Sequence, residues 1–439
     1  MSDYDVIVVG CGPAGLMATK ELAARGAKVL GVDKKQRLDV NVRSASGYFF
    51  ADQEINGEHI RLEHLKNKTR VHYTKCGFSL DYSAPMEGIH HSYMLSNSGL
   101  PFQATSRNVP FFNIFEPTRW LSDRHKDAKK AGASFMTNTL AIRAKHVNGG
   151  VEVTLRKQGK TSKMSCKKLI ASDGLQSRIV KNLGQNRDRA FFGKGPVIEY
   201  EITNVDNDLD RGDLVVFGKK NLGRQGGLFV IPSPREKKAY RFETMSLFPG
   251  SNAYKMIEFF IKESPFAHWF KKAKIVDKSG AIVELFTPIK VPYQENIVFV
   301  GDAAAFGECL YQGATMCGYM AAQAVDKELK GKKGFGEYTE WWNSTFEWNI
   351  NPQRMGDYAK RTMFGPFLGE EVVDYLFDLS LKKPPVADNM QTNPFDFVSL
   401  IVEYYLSTFP DMRKDVAEKL KALKNGDMGS WESSMEKDE

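Results

Sequence analysis

Residues 4–33 constrain the fold of this chain more than any other stretch. Tyr4-Asp5-Val6-Ile7-Val8-Val9 is an apolar, β-branched run of the kind buried in a parallel sheet. It stops at Gly10-Cys11-Gly12-Pro13-Ala14-Gly15, a G-x-G-x-x-G, and Leu16 to Ala23 continue with helix formers until Gly26. A second apolar run, Ala27 to Val32, ends on Asp33. In a strand–turn–helix–strand unit of this kind each residue type has a task. Gly10 permits the tight turn, Gly12 lets a pyrophosphate approach the backbone, and Gly15 lets helix and strand pack closely. The helix that starts at Pro13-Ala14 turns its free N–H groups toward the phosphates, and Asp33 is placed to bond ribose hydroxyls. The bland alternative is a glycine-rich turn in an ordinary α/β domain. The motif reads as a dinucleotide site and does not by itself separate FAD from NAD.

The rest of the chain sets outer bounds. Its 439 residues suggest two or three structural units. A net charge of +8 favours acidic partners: phosphorylated ligands, anionic headgroups or an acidic electron carrier. The basic residues are dispersed and no nucleic-acid motif is present, which argues against nucleic-acid binding. Five cysteines form no C-x-x-C and leave one over, as expected in a reducing compartment. His90-His91 lacks the carboxylate spacing of a metal site, so no metal is expected. Met1 leads directly into a strand, and no apolar run reaches the roughly 18 residues of a membrane span. The expected location is cytoplasmic, with peripheral membrane contact through the apolar stripe of residues 393–406 as the alternative to packing on its own domain.

Small and glycine residues in Asn41 to Gly47 suit either a loop beside a cofactor or a surface loop. Residues 76–112 mix polar and aromatic residues as strands of a different sheet do. Phe115 to Ala133 reads as a helix, and Asn148-Gly149-Gly150 as a hairpin turn. A strand, Lys167 to Ser172, leads into Asp173-Gly174-Leu175-Gln176-Ser177-Arg178. Alternating strands fill residues 191–287, with one helix at Ala253–Lys262. Asn296 to Val300 is a further buried strand that ends on Gly301-Asp302, where open α/β sheets bind ligands, and a small-residue helix follows from Gly313 to Leu329. The fold class is therefore α/β: a discontinuous Rossmann-like domain (1–75, 113–190, 290–333) with an inserted antiparallel β-rich substrate domain (76–112, 191–289). Residues 334–439 follow as a helical, aromatic-rich region.

The order G-x-G-x-x-G with Asp33, D-G-x-x-S-R at Asp173–Arg178 and G-D-A-A at Gly301–Ala304 resembles an FAD-dependent superfamily. That superfamily includes geranylgeranyl reductases, p-hydroxybenzoate hydroxylase-like monooxygenases and flavin halogenases. The resemblance covers about residues 4–330. It implies FAD, with Gly10, Gly12, Pro13, Ala14, Gly15 and Asp33 on its AMP half and Asp302 on the ribityl chain. It also implies contacts from Lys34, Arg43, Ser44, Ala45, Asp173, Gly174, Gly301, Gly313 and Ala314, with Arg119 as an FAD-contacting arginine. Val42-Arg43-Ser44-Ala45-Ser46-Gly47 looks like the geranylgeranyl reductase loop V-R-C-A-E-G, with serines at its cysteine and acidic positions. The family's Y-x-W-x-F-P appears as Gly227 to Pro232, which leaves Phe229 and Pro232 as substrate contacts. Its K-P-x-x-G-G-G-I appears as Glu308 to Thr315 with Cys309 in place of proline. Cys309 is then a candidate proton donor or nucleophile beside the flavin, with Tyr311 and Glu308 as further acids, and a space-filling Cys309 as the alternative.

The implied activity is hydride transfer from reduced FAD to a carbon–carbon double bond of an apolar, isoprenoid-like substrate. The alternatives are an FAD monooxygenase acting on an aromatic or polycyclic compound and a flavoprotein electron carrier. No second G-x-G-x-x-G is present, so the electron donor is left between NAD(P)H, bound transiently, and a ferredoxin-like carrier.

Overall fold

The computed structural model describes residues 2–217, 227–245, 252–305, 310–351, 367–390 and 397–425. Its first sheet grows outward from the N-terminal strand. Tyr4–Val9 pairs in parallel with Val29–Val32 on one side and with the last residues of Lys160–Ala171 on the other. Ser134–Met136 extends the sheet past Val29–Val32, and Ile297–Phe299 joins Lys160–Ala171, both in parallel. Val6, Ile7 and Val8 are wholly buried, as apolar parallel strands require. The first part of Lys160–Ala171 turns to other partners: it forms an antiparallel meander with Gly150–Lys157, which pairs in turn with Leu140–Val147.

Two segments nearly 300 residues apart complete this layer. The helix Pro13–Ala24 packs along Leu310–Leu329, a helix that starts three residues before the expected Gly313. The contact depends on a missing side chain, because a Cβ on Gly318 would lie 2.1 Å from the carbonyl oxygen of Ala14.

The inserted region forms a second eight-stranded sheet. Its strand order is Lys274–Phe286, Phe191–Thr203, Tyr240–Met245, Gly227–Pro232, Gly212–Phe217, His91–Leu95, Pro101–Val109 and Val386–Asn389. The pairings from Lys274–Phe286 to Gly212–Phe217 are antiparallel as expected. Two others are parallel: Gly212–Phe217 with His91–Leu95, and Pro101–Val109 with Val386–Asn389. The helix Ala253–Lys262 buries Met256, Ile257 and Phe260 against this sheet.

A four-stranded sheet spans Glu54–Ile55, Glu58–Leu65, Lys68–Tyr73 and Phe78–Tyr82. Val71, Tyr73, Leu80 and Tyr82 alternate into the core of the dinucleotide-binding layer. Lys68–Tyr73 pairs with Phe78–Tyr82, so this sheet runs across the boundary drawn at residue 76.

The aromatic C-terminal region divides between two cores. Gly334–Thr345 packs Phe335, Tyr338 and Trp342 onto the first layer, and the Trp342 indole donates to the carbonyl of Ile289 at 2.9 Å. Glu370–Lys382, Phe397–Thr408 and Lys414–Asn425 instead pack Leu376, Phe377, Val402, Tyr405 and Leu420 with Phe102 and Phe112. No helix among the described residues is long and apolar enough to cross a membrane.

Candidate cofactor and substrate site

The glycine turn is fixed by contacts that leave no room for a side chain. Gly10 has φ +91°, and a Cβ there would sit 2.3 Å from the carbonyl oxygen of Ser172. One on Gly15 would sit 1.8 Å from the carbonyl oxygen of Gly10. Gly12 differs: an added Cβ would meet only the Arg43 guanidinium, at 3.9 Å, so the backbone here faces open space. Gly12 caps the helix without a side chain, which leaves the first-turn N–H groups uncapped beside that space. The buried Asp33 carboxylate accepts from the N–H of Cys11 at 2.7 Å and of Lys35 at 2.8 Å, which ties the end of the second strand to the turn.

Gly10, Gly12, Asp33 and Lys35 line a cavity of about 310 Å³ together with Pro13, Lys34, Arg43, Asp173 and Gly174. The Asp173 carboxylate spends both oxygens on its own turn, accepting from the Ser177 hydroxyl at 2.6 Å and the Arg178 N–H at 2.9 Å. Ser177 in turn accepts from the N–H of Val180 and caps Arg178–Asn182. The D-G-x-x-S-R motif thus shapes a turn, and a Cβ on its glycine, at φ +83°, would sit 3.2 Å from the Arg43 guanidinium.

Arg43 lines this cavity beside Lys34, Lys35 and Arg178. It forms no ion pair among the described residues, and its guanidinium favours the charged form of Asp302, whose carboxyl burial pushes up. Arg119 does not share this role. It is exposed, its Nη1 donates to the carbonyl of Ser83 at 3.5 Å, and it lines neither cavity, because the buried Trp120 and Leu121 turn the opposite face of their helix inward. Of the two arginines expected at the cofactor, Arg43 lines both cavities and Arg119 lines neither.

A second cavity of about 310 Å³ adjoins the first, and Pro13, Arg43 and Tyr311 line both. Its cofactor side carries Ser44, Ala45, Asp302 and Ala314. The Ser44 hydroxyl is buried without a hydrogen-bond partner among the described residues. Its far side is largely apolar: Tyr48, Phe50, Phe111, Phe112, Val215, Phe229 and Leu310. The Gln312 side chain accepts from the N–H of Phe50 at 2.7 Å and donates to its carbonyl at 3.1 Å, clamping that wall to the helix Leu310–Leu329. The Tyr311 hydroxyl donates to the Asn41 side chain at 3.1 Å, and burial pushes its phenol well above the ordinary range.

The remaining expected residues fall nearby or outside. Ala14 and Gly301 are packed together: a Cβ on Gly301 would meet those of Ala14 and Ala314 at 3.5 and 3.8 Å. Gly313 is buried one residue from the wall. Pro232 is buried opposite Tyr240 and does not line the cavity. Glu308 and Cys309 lie outside the described residues.

Sequence reasoning missed Tyr48, Phe50, Phe111, Phe112, Asp213 and Glu243. The doublet Phe49-Phe50 carried a signal, since adjacent strand residues point to opposite sides. Phe49 is indeed buried in the first core, whereas Phe50 lines the cavity.

The two joined cavities fit FAD on their own chemistry: uncapped N–H groups, an unpaired arginine, a glycine gap, and an orphaned hydroxyl farther in. Residues 3–47 match the model of an FAD binding domain. A digeranylgeranylglycerophospholipid reductase of Methanosphaera stadtmanae is 26% identical over 420 residues, covering 92% of this chain and 97% of its own. One of Methanocaldococcus jannaschii is 26% identical over 340 residues, or 74% and 78% of the two chains. A geranylgeranyl bacteriochlorophyll reductase-like protein of Thermoplasma acidophilum has the same fold, with a TM-score of 0.66 and 19% identity across 96% of this chain and 99% of its own. The flavin-dependent monooxygenase PieE gives 0.62 and 11% across 98% and 72%. The chain is an FAD-dependent oxidoreductase, similar over nearly its whole length to a digeranylgeranylglycerophospholipid reductase and alike in fold to a geranylgeranyl reductase-like protein.

Proposed function

We propose that the protein reduces a carbon–carbon double bond of an apolar, isoprenoid-like substrate at the expense of reduced FAD. The observation that carries this reading is the aromatic-walled cavity that opens from the cofactor cradle at Pro13, Arg43 and Tyr311. Such a wall binds hydrocarbon by burial and excludes water from the reacting atoms. The curated relatives are named as reductases of digeranylgeranylglycerophospholipid, a lipid whose chains match that wall in chemistry.

In this scheme Gly10, Gly12, Gly15 and Asp33 hold the AMP half of FAD, and Arg43 with the helix start holds the pyrophosphate. Ser44, Ala45, Asp302 and Ala314 flank the flavin end. When bound, FAD supplies the hydride. The chain's own residues orient the alkene: Phe50, Phe112 and Phe229 define the slot, and Tyr311 separates the two chambers. The flavin is reduced by a transiently bound nicotinamide or by an acidic ferredoxin-like carrier, to which a net charge of +8 is suited. A lipid substrate would bring the protein to a membrane surface at least transiently.

The test is anaerobic. Reduced holoprotein mixed with a polyprenyl lipid should regain its oxidised flavin spectrum and yield a product two hydrogens heavier by mass spectrometry. A product that forms only with oxygen and carries a new hydroxyl would replace this reading with the monooxygenase.

A further inference from the structure

The loop that bends past the reaction chamber is held by two carboxyl groups from the inserted sheet. Glu199 and Glu243 lie directly opposite each other on neighbouring antiparallel strands. Ser46, at φ +45°, turns its N–H toward both: it donates to Glu199 Oε2 and to Glu243 Oε2, each at 3.0 Å. The Ala45 N–H adds a bond to Glu199 at 3.1 Å, and the Ser46 hydroxyl one to Glu243 at 2.8 Å. Like charges directly opposite on a sheet repel, and the nearness of Glu243 raises the Glu199 carboxyl, which favours a proton on the pair.

The surroundings do not supply enough positive charge to keep both ionised. Arg241, on the same strand as Glu243, is buried and pairs with Glu116 at 2.9 Å. Arg235 divides itself between Glu116 and Glu201 at 3.1 and 2.9 Å. Glu116 and Glu201 thus take up Arg235 and part of Arg241, and the remaining cation near the pair among the described residues is Arg43, which lines the chamber with Glu243. Ser279 reaches Glu199 from the outer strand at 3.5 Å, with the exposed Asp277 two residues before it. Tyr311, neutral at physiological pH, faces the pair from the helix Leu310–Leu329. Burial and the Glu243 charge push Glu199 up to about 8, against the pull of Arg241. Glu199 is 8% exposed and Glu243 lines the reaction chamber, so the pair has an inner and an outer member.

We propose that Glu243 is the general acid of the alkene reduction, delivering the proton that the pair holds on Glu199 at rest, and that Glu199 is a positioning residue that keeps the pair singly protonated. The proposal rests on the reductase reading above. The hydride and its electron pair go to one alkene carbon, and the π pair of the double bond passes to the other. That carbon forms its C–H bond with the carboxyl proton, and the pair, now fully ionised, is reprotonated from solvent through the loop. Two C–H bonds form, the π bond is lost, and FAD accounts for the two electrons. General acids of this kind contribute about 10²–10⁴ in rate.

The deciding measurements use holoprotein. Infrared difference spectra taken across pH should show one protonated carboxyl that titrates near pH 8, lost in both Glu199→Gln and Glu243→Gln. Absence of that band in the wild type would overturn the shared proton whatever the substrate proves to be. In anaerobic mixing, Glu243→Gln should slow flavin reoxidation by polyprenyl lipid about 100-fold, and Glu243→Asp should restore part of it. Glu199→Gln should shift the pH profile toward acid rather than abolish it. Reoxidation by molecular oxygen, which needs no carbon protonation, should be unchanged in all three. Equal loss with oxygen would reduce the pair to a structural clamp and overturn the proposal. A wild type that no alkene reoxidises would instead sink the reductase reading while the infrared result stood.

Discussion

The two chambers that meet at Tyr311 are built on opposite plans. The cradle around Gly10–Gly15 is mostly backbone, its shape set by glycines whose missing side chains make room for other backbone. The reaction chamber is mostly side chain, gathered from the loop at 44–50, Phe111-Phe112, the strands Gly212–Phe217, Gly227–Pro232 and Tyr240–Met245, and the start of Leu310–Leu329. A common cofactor can be held by a backbone that evolution cannot easily alter. A particular substrate is chosen by side chains that it can.

That contrast is open to direct attack, and the largest effect should come from the cradle. Gly15→Val would force a side chain into the carbonyl of Gly10, where even a Cβ has only 1.8 Å. Overpacking of this kind costs about 3 kcal/mol, and the preparation should lose bound flavin absorbance and melt at lower temperature. Next comes Arg43→Ala, which removes a charge-assisted contact worth about 1.5–3 kcal/mol. FAD affinity by equilibrium dialysis should fall roughly 10–100-fold, while Arg119→Ala, exposed and turned away, should leave it unchanged. If Arg119→Ala proved the more damaging, the cradle would be misdrawn.

The chamber should respond in the converse way. Phe112 stands edge-on to Tyr48 at 4.4 Å, and Phe112→Trp would crowd the slot. KM for a polyprenyl substrate should rise about 10-fold with FAD affinity untouched; a parallel loss of FAD would mean that the two chambers are not separable. The smallest effect concerns stability. The Glu199 carboxyl is raised from 4.5 to about 8 in the folded state, so between those values the native protein binds more protons than the unfolded chain. Its stabilising contribution is full below about pH 4.5 and declines as pH rises through about 8. Urea denaturation across that window should show a downward slope that Glu199→Gln flattens.

What could be read from sequence follows the same division. The cradle was legible because its residues are contiguous and each answers a local steric demand, so Gly10, Gly12, Gly15 and Asp33 fall where spacing places them. The helices Pro117–Lys130 and Ala253–Lys262 were equally local, the first marked by Pro117 at its start and Gly132 beyond its end. The Glu199–Glu243 pair was not legible, because it arises from strand register across 44 residues and from a loop 150 residues away. The face that Arg119 occupies was not legible for a related reason: its distance from a helix start says nothing of it, and Trp120 beside it took the inward one. The parallel pairing of Gly212–Phe217 with His91–Leu95 likewise leaves no trace in period-two alternation.

The contact between Gly318 and the carbonyl of Ala14 has a consequence for how the protein is made. The fingerprint turn is synthesised early, but the helix that buttresses it and the strand Ile297–Phe299 arrive only after seven of the eight strands of the second sheet. The nascent chain must therefore carry a recognisable but unfinished cradle for most of translation. Flavin capture then becomes a late event in its biosynthesis, closing the fold rather than seeding it.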